Sequence, residues 1–595
     1  MCSNSWSIPS WQLATIRRFV SQIAKGRSVV GICLYGSQVA GYARSESDFD
    51  IIVVLQNYPF ALKYVYSREE GHGIKDHTEK GEKRESAIDI SALVVDRQLL
   101  EKDASEGYLG EFVVGRLLHI YEPIENQDFF NKIEQVYKRR VILEEINQLI
   151  QSTNVLSTEI MFPLEFVMFA KIRRRSALYP NAIYSYYRTY TGSRAEQNIE
   201  FALDGYRRAL NDIIRQDDHL FEIKGKLLKI SEKRVATGNR GEAYLRLTKR
   251  LQEFSSYLVH TYAGRHAFHL ALKEAQSKLM RHHHATPKLP EFISHPDATY
   301  LKLSEGMLIF EASKKSHRVS EKWLDVLAES IGFARYDITK QRLGNLNSKT
   351  SLIRIVDREA GKDKEKRIVV KELAKSKSIK WAALNIWTSP VKRFRVDPLF
   401  RLGCEYKALR YVRTLGLCSP VVECVVLDRR LLVTEFIEGK TLADIIKSHI
   451  KAKTATRVAG GGEMLDVAIR VAGKQIATVH SAGSSFGNIK PKNIIARQTD
   501  GNLYFTDLEQ FIFKAGDQLW DLAQFLGWAL KGTTNVSAAM MIAKEFLCGY
   551  LGQGSVENVR KLAKSKRHME SFYPVLAPSV ARALKNQINI AAETS

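Results

Sequence analysis

The chain has 595 residues, too many for one domain at roughly 100–200 residues each, and a formal net charge of +24. Its six cysteines form no CxxC pair, and no apolar run approaches the ~20 residues needed to cross a bilayer. This excludes a disulfide scaffold and a spanning helix, and points to a reducing cytoplasm. The positive excess favours polyanions such as RNA, DNA or nucleotides, or is a basic surface kept for solubility.

Residues 11–24 read as an amphipathic helix with Leu13, Ile16, Val20 and Ile23 on one face. Arg17 and Arg18 lie here without the apolar core of a secretory signal. An apolar run from Val29 to Tyr35 predicts a buried strand, broken by Gly36-Ser37. Asp48 and Asp50 then open a second apolar run, Ile51 to Leu55. On a strand, residues two apart share a face, so these two carboxylates project together. Two hard oxygen ligands near a Gly-Ser turn can hold Mg²⁺ against a triphosphate.

Gly-Ser followed about ten residues later by Asp-x-Asp, between two strands, resembles the nucleotidyltransferase superfamily built on the DNA polymerase β palm. The resemblance implies a third carboxylate on a later strand. Asp89, in AIDISALVV, alternates away from Ile88 and Ile90 and is the candidate. Asp96 is the competitor, at the end of the same run, where it reads as a turn residue. The implied chemistry is transfer of NMP from an NTP to an acceptor hydroxyl, with Mg²⁺ or Mn²⁺ held by Asp48, Asp50 and Asp89. Asp89 also helps to deprotonate the acceptor, and Gly36 and Ser37 let backbone N–H groups approach the triphosphate.

Between these strands, residues 71–86 form a polar loop in which His72 and His77 read as solvated. Residues 126–285 read as helical. One helix opens at a Ser193/Glu196 capping box and runs through Ala202, Leu203, Tyr206, Leu210 and Ile213. Before it, residues 171–194 mix Lys171, Arg173, Arg174, Arg175, Arg188 and Arg194 with five tyrosines. Cations with interleaved aromatics can bind phosphates and stack bases. The alternative is a helix pair with tyrosines inside and arginines in water. His282-His283-His284 reads as a helix end, followed by a linker to about Pro296.

From about residue 300, strand-like runs alternate with polar turns. Gly344-Asn345 is a poor glycine loop. Lys371 ends a strand, Glu405 begins a helix, and Leu431–Phe436 is a strand. Gly460, Gly461 and Gly462 precede a long helix. Then come Gly487-Asn488-Ile489-Lys490-Pro491-Lys492-Asn493 and Thr506-Asp507-Leu508-Glu509. These features resemble the protein-kinase-like superfamily, closest to the RIO kinases, the archaeal tRNA-modification kinase and the aminoglycoside phosphotransferases. The resemblance spans about residues 335–595. It implies that Lys371, Glu405 and Lys490 belong to an ATP site and that Asn493 and Asp507 hold metal. Gly516-Asp517 and Trp520-Asp521 resemble the helix that buttresses the catalytic loop. The family's catalytic aspartate, five residues before the metal-binding Asn, is here Asn488, and an amide cannot take a proton from a hydroxyl.

The expected architecture is multidomain α/β and α. A polymerase-β-like palm of mixed sheet with helices occupies 1–125 and a helical domain 126–285. A linker and N-lobe extension spans 286–334. A bilobal kinase-like fold has its N-lobe at 335–440 and its C-lobe at 441–595. The acceptor expected is an RNA end, a protein hydroxyl or a small molecule, with no membrane partner. Two rivals stand beside this reading: a bifunctional transferase and kinase, and an RNA-binding scaffold using both sites as nucleotide sensors.

Overall fold

The computed structural model describes residues 8–60, 62–70, 87–217, 219–233, 287–311, 322–333, 335–343, 349–358, 364–373, 385, 388, 391–455 and 461–594. His72 and His77, the triple histidine, Gly344-Asn345 and Gly460 lie outside them. Two compact units form: Met1–Leu149 with Met161–Leu301, and Ile150–Ile160 with Lys302–Ser595.

Unit 1 opens with α1 (Ser10–Ala24), whose Ile16, Phe19 and Val20 are buried. Then follow β1 (Val29–Tyr35), the short α2 (Ser37–Ala40), β2 (Phe49–Leu55), β3 (Leu62–Glu70), β4 (Ala87–Asp96), α3 (Arg97–Glu106), β5 (Glu122–Glu125) and α4 (Gln127–Thr153). The sheet order is β3-β4-β2-β1-β5, with β2 and β4 parallel and the other pairs antiparallel. Strand period decides its two faces. Phe49, Ile51, Val53 and Leu55 of β2 and Ile88, Ile90, Ala92 and Val94 of β4 share a core with the buried side of α1. Asp50 and Asp89 therefore lie on the opposite face. Asp96 is a cap: its carboxylate accepts from Gln98 N (2.9 Å), Leu99 N (3.3 Å) and Tyr58 N (2.9 Å).

Helices α5 (Leu164–Leu178), α6 (Ile183–Thr191) and α7 (Ala195–Gln216) complete this account of unit 1. The capping box does not form. Arg194 is the N-cap of α7 and makes no side-chain cap bond, because a turn from Gly192 to Ala195 delays the helix start. The basic and aromatic segment is not a helix pair with its cations in water. Tyr186 and Tyr190 are buried, but so are Lys171 and Arg175. Lys171 bonds Glu111 (2.8 Å) and Glu144 (3.1 Å). Arg175 donates to Glu111 O (2.7 Å), Arg174 pairs with Glu145, and Arg173 pairs with Asp297. Lys171, Arg175 and Arg140, the last 2.9 Å from the Glu111 carboxylate, hold that carboxyl down at about 2 despite its burial. Phe292 of the expected linker and Tyr300 beyond it also pack here, 5.0 and 5.8 Å from Phe169 between ring centroids.

One ion pair of unit 1 is sealed from water. Lys138 Nζ lies 2.7 Å from Glu134 Oε1 and 2.8 Å from Ala202 O, with both charged side chains almost fully buried. A β-carbon on Gly205 would overlap Glu134 and stand 2.7 Å from Lys138 Nζ, so glycine is what admits the pair. Removing one partner of a buried pair strands the other charge. Lys138→Met is expected to lower stability by about 3–5 kcal/mol, read as an earlier urea transition of unit 1.

Unit 2 carries a second sheet. Its elements are β6 (Met307–Ile309), α8 (Lys322–Ser330), β7 (Tyr336–Leu343), β8 (Thr350–Asp357), β9 (Glu365–Glu372), α9 (Pro398–Thr414), β10 (Val422–Val426) and β11 (Leu431–Glu435). The order is β6-β10-β11-β9-β8-β7, and Trp323, Leu324 and Leu327 of α8 join its apolar core. Helix α9 starts seven residues before Glu405, since Pro398 suits the first turn and Asp397 accepts from Phe400 N (2.7 Å). Next come β12 (Gly439–Thr441), α10 (Leu442–Ala455), α11 (Gly461–Ser481), β13 (Ile494–Arg497), β14 (Leu503–Phe505), α12 (Gln518–Ala529) and α13 (Val536–Leu551), with further short helices to the end. Leu465, Ile469, Ala472, Ile476 and Val479 of α11 are buried. None of the described helices is long and apolar enough to cross a membrane.

Candidate functional sites

In unit 1 the pairing Tyr35↔Asp50 brings the end of β1 beside the start of β2. Gly36 follows with φ 84°, a conformation L side chains rarely adopt. A β-carbon there would overlap Oδ2 of Asp50. The bare α-carbon thus lets a buried carboxylate sit against the turn that begins α2 at Ser37. In the parallel pair, Asp50 lies opposite Ser91 and Phe49 opposite Ile90. Extending that register one step sets Asp48 beside Asp89. All three aspartates therefore belong to one face, Asp50 buried and the other two half-buried. Across the other edge of β4, Arg68 is the neighbour of Asp89.

The far end of α2 is fixed as well. Asn198 of α7, 1% exposed, donates to Ala40 O (3.1 Å) and Thr189 O (2.9 Å). Tyr42 and Ser185 of α6 share a hydroxyl bond of 2.9 Å. Sequence spacing found the turn and the acids. It missed Asn198, which lies 158 positions from its partner.

In unit 2, Lys371 of β9 pairs with Glu405 of α9 (2.7 Å) and with Asp507, and lies 3.6 Å from Glu509. Fully buried Arg401, one turn before Glu405, reaches Glu509 at 3.2 Å. Asn493 Nδ2 donates to Asp507 Oδ2 and to Asn488 O, both at 3.3 Å. Asp507 has φ 58°, so its carboxylate is aimed by a left-handed backbone. The loop before Asn493 is buttressed by α12. Asp521 accepts from Phe486 N (2.5 Å) and Gly487 N (2.8 Å), and Trp520 Nε1 donates to Gly487 O (3.2 Å). A side chain at Gly487, φ 68°, would overlap Gln510 O, and Lys392 Nζ is 3.2 Å from its β-position.

Among the described residues, one set of three carboxylates brings its oxygens within 4.8 Å of one another: Glu405, Asp507 and Glu509. Asp48, Asp50 and Asp89 share a face without closing to that separation. Strand register fixes their side of the sheet, and three like charges have no reason to converge by themselves. Their donor set is nonetheless all hard oxygen, with one member seated in the glycine cradle, which fits Mg²⁺ or Mn²⁺. Glu509 and Arg401 were not singled out in sequence; the available signal was Asp507-x-Glu509 and an arginine four positions before Glu405.

Electrostatics in unit 2 follow from burial. Desolvation raises the Glu405 carboxyl to about 7, although Lys371 pulls the other way. Three carboxylates hold Lys371 well above the usual lysine value in spite of its own burial. A carboxyl raised in the fold contributes stability that is complete below its unfolded pKa and is lost as pH rises through the folded one. That window runs from about 4.5 to about 7. Between these limits Glu405→Gln should lose less stability than the wild type as pH rises. Urea midpoints measured at intervals across the range check this.

Residues 13–147 match the nucleotidyltransferase domain family. No curated protein matches the chain. Among solved structures, a double mutant of the Mycobacterium tuberculosis PknI kinase domain is similar at 12% identity, over 43% of this chain and 96% of that one, with a TM-score of 0.23.

Proposed function

We propose that this protein transfers NMP from an NTP to an acceptor hydroxyl, with the site in unit 1 and with Mg²⁺ or Mn²⁺. The single observation that carries this is the placing of Asp50 against the bare Gly36 turn, on the face it shares with Asp48 and Asp89. The family match over residues 13–147 supports it independently. In this reading Asp48, Asp50 and Asp89 hold the metal, which when bound neutralises charge on the triphosphate. Gly36 and Ser37 offer backbone N–H groups to the phosphates. Asp89 helps take the acceptor proton as the acceptor oxygen bonds to the α-phosphorus and pyrophosphate leaves.

Unit 2 is, in the same proposal, a nucleotide-binding domain of kinase type that is weakly active or regulatory. Lys371, Glu405 and Lys490 would meet the nucleotide, and Asn493 and Asp507 its metal. Supporting this are the Lys371–Glu405 pair, the Asn493–Asp507 bond and the Asp521 buttress. The domain limits given from sequence, with a palm to about residue 125, are part of this proposal.

Asp48→Ala and Asp50→Ala should each reduce transfer of α-labelled NMP to background. Gly36→Ala should lose about 10²-fold by displacing Asp50. Purified protein incubated with each α-labelled NTP and a cellular extract supplies the measurement. Near-normal transfer by either aspartate variant would refute the assignment.

A further inference from the structure

Arg68 lies on the acidic face of unit 1 and has no part in the site as described above. In the antiparallel pair of β3 and β4 it stands directly opposite Asp89, so the two side chains leave the sheet on the same side. With Asp48 set beside Asp89 in the parallel pair, one row across the sheet reads Asp48, Asp89, Arg68. Strand β3 is the edge of that sheet. Arg68 is exposed and makes no hydrogen bond or ion pair among the described residues. Opposite charges that face each other across two strands attract. Here the guanidinium nevertheless stays clear of its neighbour's carboxylate, so it is not committed to balancing the acids.

The direction of the proposed reaction decides what this cation can meet. An in-line displacement puts the attacking oxygen and the leaving pyrophosphate on opposite sides of the α-phosphorus. The Gly36-Ser37 turn, assigned above to the phosphates, follows β1 on one side of the acids. The order β3-β4-β2-β1 sets Arg68 on the other side, three strand spacings from β1, or about 14 Å. The incoming hydroxyl therefore approaches over β4 and β3, beside Asp89 and Arg68. An uncharged acceptor there would cover a guanidinium without pairing it, which costs free energy. A phosphate would pair it, through two parallel charge-assisted hydrogen bonds.

We propose that Arg68 selects the acceptor of unit 1, a compound whose hydroxyl is flanked by a phosphate, as at the 3′ end of a polynucleotide or in a free nucleotide. This rests on the reading of unit 1 as a nucleotidyltransferase. Arg68 binds the phosphate while Asp89 faces the hydroxyl. The acceptor oxygen bonds to the α-phosphorus, and its proton passes to Asp89. The bond from that phosphorus to the α,β-bridging oxygen breaks, and its electron pair leaves on pyrophosphate.

The test gives the full chain Mn²⁺ and each α-labelled NTP, with acceptors that differ in charge. They are a short single-stranded oligonucleotide, the same strand with an uncharged methylphosphonate as its last linkage, a nucleoside 5′-monophosphate, its parent nucleoside, and a peptide carrying serine, threonine and tyrosine. Label should pass to the oligonucleotide or the monophosphate, and which of them takes it identifies the source of the phosphate. Arg68→Ala, at an exposed position with little risk to folding, should lower kcat/KM for that acceptor about tenfold, through KM. It should leave the uncharged counterpart within about twofold, since the two changes remove one interaction. Equal losses for charged and uncharged acceptors, a loss confined to kcat, preferential transfer to the peptide, or no label on either phosphate-bearing acceptor would overturn the proposal. Mn²⁺ binding is measured separately by calorimetry. Its absence, or its indifference to Asp48→Ala and Asp50→Ala, would overturn the transferase reading of unit 1 itself.

Discussion

Gly36 has no side chain and a positive φ, and the Asp50 carboxylate takes the volume a β-carbon would fill. Everything proposed for unit 1 depends on that approach. It requires β2 to pair with β1 in one register, with Asp50 opposite Tyr35. The register is enforced from the other side of the sheet. Phe49, Ile51, Val53 and Leu55 all belong to the core that takes in the buried side of α1, and a slip of one residue would send them to the acidic face. Apolar packing on one face therefore aims the carboxylates on the other. Asn198 adds a second anchor by bonding the carbonyl at the end of α2.

Unit 2 solves a different problem, which is to bury charge at a junction of separate segments. Lys371 comes from a strand, Glu405 and Arg401 from one helix, and Asp507 and Glu509 from a loop. Clusters of this kind are weak evidence for stability, because apolar residues of the same volume often do as well or better. Their consequence is geometric. Each carboxylate is held by a cation, so the loop between Asn488 and Asp507 can take few arrangements. A left-handed Asp507 and a glycine at 487 with no room for a side chain complete the restriction.

Much of this was legible from local pattern. Strand β1 spans the residues its apolar run predicts, and the alternation of Ile88, Asp89 and Ile90 gave the faces of β4 correctly. Helix α11 buries most of the residues its spacing selected. The errors came where distant partners decide the outcome. Lys171 and Arg175 read as surface cations because Glu111 is at least 60 positions away from either. The start of α9 was missed because Glu405, the residue that drew attention, lies inside the helix and the cap lies earlier. The Ser193/Glu196 pair has the spacing of a capping box, but a preceding turn claims the backbone first.

The same contrast limits what net charge can say. The total of +24 is a sum over the chain, whereas attraction of a polyanion depends on which cations face water. In the segment richest in arginine and tyrosine, Lys171, Arg173, Arg174 and Arg175 are each paired with a carboxylate of unit 1. Those four charges are largely neutralised before any ligand arrives, so they add little to the field that a polyanion meets.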